Sequence, residues 1–110
     1  MEISSKRTER NLLLELKGEL DHHGAKHAMG VIEREIDAAL PLRLVLDFSG
    51  VTFMDSSGIG VLLRSQRRMQ CYGGSVILCG VSAQVGRILE IAGVGRFIHM
   101  KKEKEHALDQ

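Results

Sequence analysis

The spacing of hydrophobic and polar positions along the chain predicts an ordered series of strands and helices. Asn11–Lys17 and Leu42–Phe48 fit strands, and the second run is apolar at nearly every position, which is typical of a strand covered on both faces. Apolar residues recur at helical spacing over His23–Ala39, where Pro41 is expected to end the helix, and again over Ile59–Tyr72. The two periods therefore alternate along the chain.

Further elements complete this order. A hairpin strand, a buried strand, a short helix and a last strand are predicted over Ile3–Thr8, Ser75–Cys79, Ser82–Gly93 and Phe97–Met100. The charged segment Lys101–Gln110 is expected to begin a final helix. Because strands alternate with helices, we expect an α/β fold: one domain over residues 1–110, with a mostly parallel or mixed sheet of four to five strands and helices packed against it.

Particular residues predict where these elements end and which faces they bury. Gly18–Asp21 is predicted as a loop with Asp21 as the N-cap of the first helix, and Gly73-Gly74 supplies a left-handed end to the second. The positions predicted to point inward from the last two helices are Ile59, Leu62, Leu63 and Met69, then Val85, Ile88, Leu89 and Ala92. Arg64, Arg67 and Arg68 fall on the outer face of the second helix, most simply as a solvated surface.

Composition excludes several classes of function. The 110 residues are 44% hydrophobic and 26% charged with a net charge of +1, so no strong field recruits nucleic acid or a membrane surface. Aromatic residues are 4% without tryptophan, which disfavours base stacking. The start has no apolar signal-peptide core, and we expect a cytoplasmic protein whose Cys71 and Cys79 are reduced thiols.

The segment that most clearly indicates a functional site is Asp55-Ser56-Ser57-Gly58, which lies between the strand predicted over Leu42–Phe48 and the second predicted helix. The first turn of a helix offers free N–H groups and the positive end of its dipole, which favour an anion. Ser57 has three readings: a catalytic serine, a helix N-cap, or an acceptor of a regulatory phosphate. The nucleophile pattern G-x-S-x-G is missing, which disfavours a hydrolase.

Neighbouring residues add little to the enzyme or metal readings. Asp55 is expected to cap the helix or to orient the Ser57 hydroxyl. His23 and His27 have a metal-ligand spacing, but no carboxylate or cysteine completes a set beside them, so no metal or other cofactor is expected. Gly58-Ile59-Gly60 lacks the rest of a phosphate-binding glycine pattern.

Taken together, Gly18–Asp21 and Leu44–Leu62 resemble the STAS domain family. The resemblance is closest to the bacterial anti-sigma factor antagonists, and within them to the sporulation group that opposes the anti-sigma F factor. It covers nearly the whole chain. Its more specific motif is Phe53-Met54-Asp55-Ser56-Ser57-Gly58.

The resemblance implies a binding protein that is switched by phosphorylation and is not an enzyme. The unphosphorylated form would bind an anti-sigma factor that is also a serine kinase carrying ATP or ADP, and this binding would release the sigma factor. Ser57 would accept the phosphate, and a PP2C-type phosphatase would remove it. The residues implied at or beside the kinase-facing surface are Asp21, Asp55, Ser56, Ser57, Gly58 and Gly60.

Two alternatives stay open at this point. The dense cationic face of Arg64, Arg67 and Arg68 departs from what the motif requires, which leaves room for a stress-response antagonist with a different kinase. A STAS-type domain that binds a small molecule or nucleotide past its strand ends is the other.

Overall fold

A computed structural model describes residues 1–101 as a five-stranded sheet with helices. The elements in chain order are β1 (Glu2–Arg7), β2 (Asn11–Leu20), α1 (His22–Ala39), β3 (Arg43–Met54), α2 (Ser56–Cys71), β4 (Ser75–Cys79), α3 (Ala83–Ala92), a 3-10 turn (Val94–Arg96) and β5 (His99–Lys101). The strands lie in the order β1-β2-β3-β4-β5. β1 is antiparallel to β2, and the remaining neighbouring pairs are all parallel. The expected α/β fold with a mixed sheet is confirmed.

The main core lies between one face of the sheet and the described helices. Alternate residues of the three central strands point into it, because successive side chains of a strand face opposite sides: Leu12, Leu14, Leu16, Leu44, Leu46, Phe48, Val76 and Leu78. The buried helix residues join the same cluster, among them Ile32, Ile36, Leu62, Met69, Val85 and Leu89. On the other face Leu13, Val45, Ile77 and Cys79 are also buried, which confirms that β3 is covered on both faces.

The two central strands are longer than the sequence predicts. The segment Gly18–Leu20, expected in a loop, continues β2, and β3 extends past Phe48 to Met54. Their parallel pairing runs on to the pair Leu20 and Met54 and absorbs two register shifts on the way. Gly18 adopts a φ of 122° at one of these shifts, a value that favours glycine.

The helix ends follow the capping rules with one exception. Asp21 accepts from the Gly24 N–H at 2.8 Å and Ser82 from the Val85 N–H at 3.2 Å, and Gly93 closes α3 in the left-handed region, all as predicted. At the end of α1 it is Leu40 that adopts the left-handed conformation, with a φ of 46°. The following Pro41 disfavours the right-handed helical region at that position, so a leucine ends the helix where glycine is usual.

Some predicted inward positions are wrong. Leu63 is 38% exposed and Ala92 is also exposed, while Val61 and Ser65 are buried in α2 instead. The buried Ser65 hydroxyl is satisfied because it donates to the Val61 carbonyl at 2.7 Å. The last strand begins at His99 rather than Phe97, after the 3-10 turn. The predicted final helix over Lys101–Gln110 lies outside the described residues, apart from Lys101 itself.

Candidate functional site

The candidate site lies where β2 and β3 end side by side. The two strands finish at Leu20 and Met54, which are paired in the sheet, and an aspartate follows each. Asp21 caps α1 and Asp55 caps α2, and the Asp55 N–H donates to the Leu20 carbonyl at 3.4 Å. Because parallel strands end at the same edge, two helix N-termini meet here, as expected for the carboxyl edge of an α/β sheet.

Asp55 and Ser57 have distinct positions at the start of α2. The Asp55 Oδ1 accepts from the Ser57 N–H at 2.8 Å, so Asp55 is the N-cap and Ser57 lies at the second position of the helix. The reading of Ser57 as the N-cap is therefore wrong, and the predicted start of this helix at Ile59 is three residues late. Asp55 contacts the amide of Ser57 rather than its hydroxyl.

The two serines differ in exposure. Ser56 is exposed, whereas Ser57 is half-buried, and among residues 1–101 its hydroxyl has no hydrogen-bond partner. A hydroxyl that is accessible and uncommitted is available for modification. No described imidazole is hydrogen-bonded to it, so the geometry adds no base for a catalytic serine.

The glycines beside the serines have opposite surroundings. Gly58 is buried, and a methyl group added there would lie 2.2 Å from Met54 Cγ, so α2 starts close to the end of β3 only because this residue has no side chain. A methyl group at Gly60 would meet nothing within 4 Å. Gly58 therefore shapes the helix start, whereas Gly60 leaves open space beside Ser57.

A groove of about 280 Å³ lies between the facing stripes of α1 and α2. Its α1 wall includes His22, Lys26 and Met29, and its α2 wall includes Ser57, Gly60 and Arg64. We call this the Ser57 groove. Apolar residues and the cationic side chains of Lys26 and Arg64 line it together with the serine. The sequence did not predict this groove because it depends on how two helices lie against each other.

The histidines do not form a described metal centre. His22, His23 and His27 are all exposed, and only His22 lines the Ser57 groove. Within residues 1–101 no group of three or more histidine, cysteine, aspartate or glutamate side chains is placed to hold a metal ion. No disulfide joins the two described cysteines, the exposed Cys71 and the buried Cys79.

The basic face of α2 is largely committed to α1, which corrects its reading as a solvated surface. Arg64 pairs with Glu33 at 3.3 Å, and Arg68 pairs with Glu33 at 3.5 Å and with both carboxylate oxygens of Asp37. The Tyr72 hydroxyl also donates to Asp37, at 2.9 Å. We call these five residues the helix clasp. Of the three arginines only Arg67 has no ion pair within the described part of the chain.

The clasp shifts the acidity of its members. The hydrogen bonds from Arg68, and then from Tyr72, lower the pKa of the Asp37 carboxyl below its usual range. The Tyr72 hydroxyl donates this hydrogen bond to the Asp37 carboxylate, and the bond raises the pKa of Tyr72. The sequence contained a signal for this cluster, since the acids and the arginines both recur four residues apart on their helices.

The chain belongs to the STAS domain family, whose model matches residues 2–107, and the resemblance is thereby confirmed. It is 31% identical over 103 residues to the anti-sigma F factor antagonist of Paenibacillus polymyxa, a match that spans 90% of this chain and 85% of that protein. A solved structure of the anti-sigma factor antagonist SpoIIAA in its unphosphorylated form has a TM-score of 0.83 at 28% identity, over 98% of this chain and 94% of that one. The Bacillus cell fate determinant SpoIIAA in its phosphorylated form has a TM-score of 0.74 at 27% identity, over 98% and 97% of the two chains.

Among residues 1–101, no helix is both long and apolar enough to cross a bilayer.

Proposed function

We propose that this chain is an anti-sigma factor antagonist that is switched off by phosphorylation of Ser57. In its unmodified form it binds an anti-sigma factor that is a serine kinase carrying ATP or ADP, and so frees a sigma factor for sporulation. The kinase transfers the γ-phosphoryl group of ATP to the Ser57 hydroxyl, which loses its proton, and ADP leaves. A PP2C-type phosphatase hydrolyses the phosphoserine and restores the binding form.

The observation that carries this proposal is the uncommitted hydroxyl of Ser57 at the rim of a groove. Its neighbour Asp55 holds the Ser57 amide and fixes the backbone, while the side chain stays half-exposed. The names of the relatives support the antagonist role, and the phosphorylated form of SpoIIAA supports a phosphate as the switch.

A phosphate at this position would alter the surface more than the fold. It adds about 1.5 to 2 negative charges at neutral pH. The start of α2 tolerates an anion because its N–H groups and dipole are positive there. The groove, by contrast, loses open space and gains charge. A partner that docks across Asp21, Asp55, Ser56 and Gly60 would therefore be displaced without unfolding the antagonist.

Phosphate transfer to Ser57→Ala and Ser56→Ala variants tests the proposal. The kinase is recovered by pull-down from the source cell and incubated with each variant and labelled ATP. We expect Ser56→Ala still to accept phosphate and Ser57→Ala not to accept it at all. The two serines are adjacent, so Ser56→Ala is a matched control for the loss of one hydroxyl.

Two results would contradict the proposal. If Ser57→Ala is labelled as strongly as wild type, the phosphate is accepted by a residue other than Ser57. Native protein that carries no phosphate and co-purifies with a nucleotide would favour the small-molecule-binding alternative.

A further inference from the structure

Lys26 is an uncommitted cation in the Ser57 groove. It is exposed, and within residues 1–101 it makes no ion pair or hydrogen bond. Arg64, at the other end of the groove, is held by Glu33. Of these two cations that line the groove, Arg64 is therefore paired and Lys26 is available to a new anion.

The register of the two helices places Lys26 and His22 opposite Ser57. Contacts in the helix clasp join residues 31 positions apart, as in the pair Asp37 and Arg68, or 35 apart, as in Asp37 and Tyr72. Counting back from Ser57 by the same separations reaches Lys26 and His22. Both line the groove with Ser57, so the register that orders the clasp extends to the start of the helices.

We infer that Lys26, assisted by His22, forms a receptor in the same molecule for the phosphate carried by Ser57. The inference rests on the proposed function, because it concerns the modified form of that site. Phosphoserine has three strong acceptor oxygens, and the lysine ammonium and the imidazole N–H are donors on the opposite wall of the same groove. Phosphorylation then bridges α1 and α2 and closes the Ser57 groove.

The groups that face the phosphate decide whether such a bridge forms. Asp21 and Asp55 lie at the strand ends and repel it, but the Oδ1 atoms of both are already used by backbone N–H groups of the helix starts. His22 and Lys26 on α1 attract it, together with the N-terminus of α2 itself. Arg64 adds attraction from a position fixed by Glu33.

A phosphorus NMR titration of the phosphorylated chain tests the inference. Phosphoserine is placed at position 57 by chemical ligation, so that no kinase is needed. Its second pKa, ordinarily about 6, is measured in wild type, Lys26→Gln and Lys17→Gln. Lys17 is an exposed lysine outside the groove, so Lys17→Gln removes the same charge without touching the proposed receptor.

We expect the Lys26→Gln change to raise the second pKa of the phosphoserine by at least about 0.3, because a nearby cation favours the dianion. Lys17→Gln should leave it within about 0.1 of wild type, since exposed charges farther apart are screened. Equal titration of wild type and Lys26→Gln, or equal shifts in the two variants, would overturn the receptor. Because the phosphate is installed chemically, this outcome is independent of whether a kinase labels Ser57.

Discussion

The two ends of the α1–α2 pair are built differently. At the C-terminal end, Glu33 and Asp37 bind Arg64, Arg68 and Tyr72 across the helix interface. At the N-terminal end, the facing stripes leave the Ser57 groove, whose Lys26 has no ion-pair partner among the described residues.

If the proposed function holds, the regulated surface and the ionic contacts between the helices lie at different ends of the pair. The ionic contacts of the clasp begin at Arg64, about two turns along α2 from the serine proposed to be modified. On the proposed function, a phosphate at the open end changes the docking surface, while the clasp and the apolar contacts between the helices remain in place. The experiments below change one end of the pair at a time.

The largest expected effect comes from the two glycines of the open end. Gly58→Ala places a methyl group against the buried Met54 and should lower the free energy of unfolding by about 1–3 kcal/mol. Gly60→Ala meets open space and should raise it by about 0.5–1 kcal/mol, the helix-propensity gain of alanine over glycine. Urea unfolding measures both.

The Gly60→Ala variant also distinguishes an effect on stability from an effect on partner binding. Since Gly60→Ala fills part of the groove, it should weaken binding of the anti-sigma factor while it stabilises the fold. A loss of stability in Gly60→Ala comparable with that of Gly58→Ala would show that the groove is not open as described.

A smaller effect is expected from the cap at the start of α2. Asp55→Ala should cost about 1 kcal/mol of unfolding free energy, since the Ser57 N–H loses its acceptor. Ser57→Ala should change the free energy of unfolding by less than about 0.5 kcal/mol, because the Ser57 hydroxyl makes no hydrogen bond within the described residues. Thermal melting of both variants at neutral pH compares them directly, and a larger cost for Ser57→Ala would reverse the assignment of the cap.

The smallest expected effect is the pH dependence of the helix clasp. The pKa of Asp37 is lowered in the folded state, chiefly by Arg68, so its contribution is present above its unfolded pKa of about 4 and is lost as the pH falls through the folded value. Arg68→Gln should therefore be less stable than wild type at pH 6, with a difference that shrinks towards pH 3.

The matched control for the clasp is Arg67→Gln, which removes the same charge from a residue without a described ion pair. Urea midpoints at both pH values report the difference, and added salt should also reduce it. If Arg67→Gln and Arg68→Gln lose the same stability, the clasp does not stabilise the helix pair.

The order of strands and helices and the caps formed by nearby residues were predictable, whereas the exact strand ends and the pairing between helices depend on distant residues and were not. The caps Asp21 and Ser82 bond residues three positions away, so the sequence contained both partners. The extension of β2 and β3 depends on the pairing of Leu20 with Met54, and the clasp on pairs 31 to 35 residues apart. Ser57 was predicted as a site residue from its motif, whereas the groove beside it could not be predicted without knowing the register of α1 against α2.

The central claim is that negative charge at Ser57 weakens docking without disturbing the fold. Calorimetric titration of each antagonist variant into the ADP-bound anti-sigma factor kinase measures the binding affinity, and a melting curve of the same variant measures the stability of the fold. The variants compared are wild type, Ser57→Asp and Ser56→Asp. Ser56 is exposed one residue away, so Ser56→Asp adds the same charge as a control.

We expect Ser57→Asp to bind about a hundredfold more weakly than wild type, a loss of about 2.7 kcal/mol, at an unchanged melting temperature. Ser56→Asp adds its charge on the same proposed docking surface but outside the Ser57 groove, so it should lose affinity by less than Ser57→Asp does. A folded Ser57→Asp protein that binds as tightly as wild type would contradict the account.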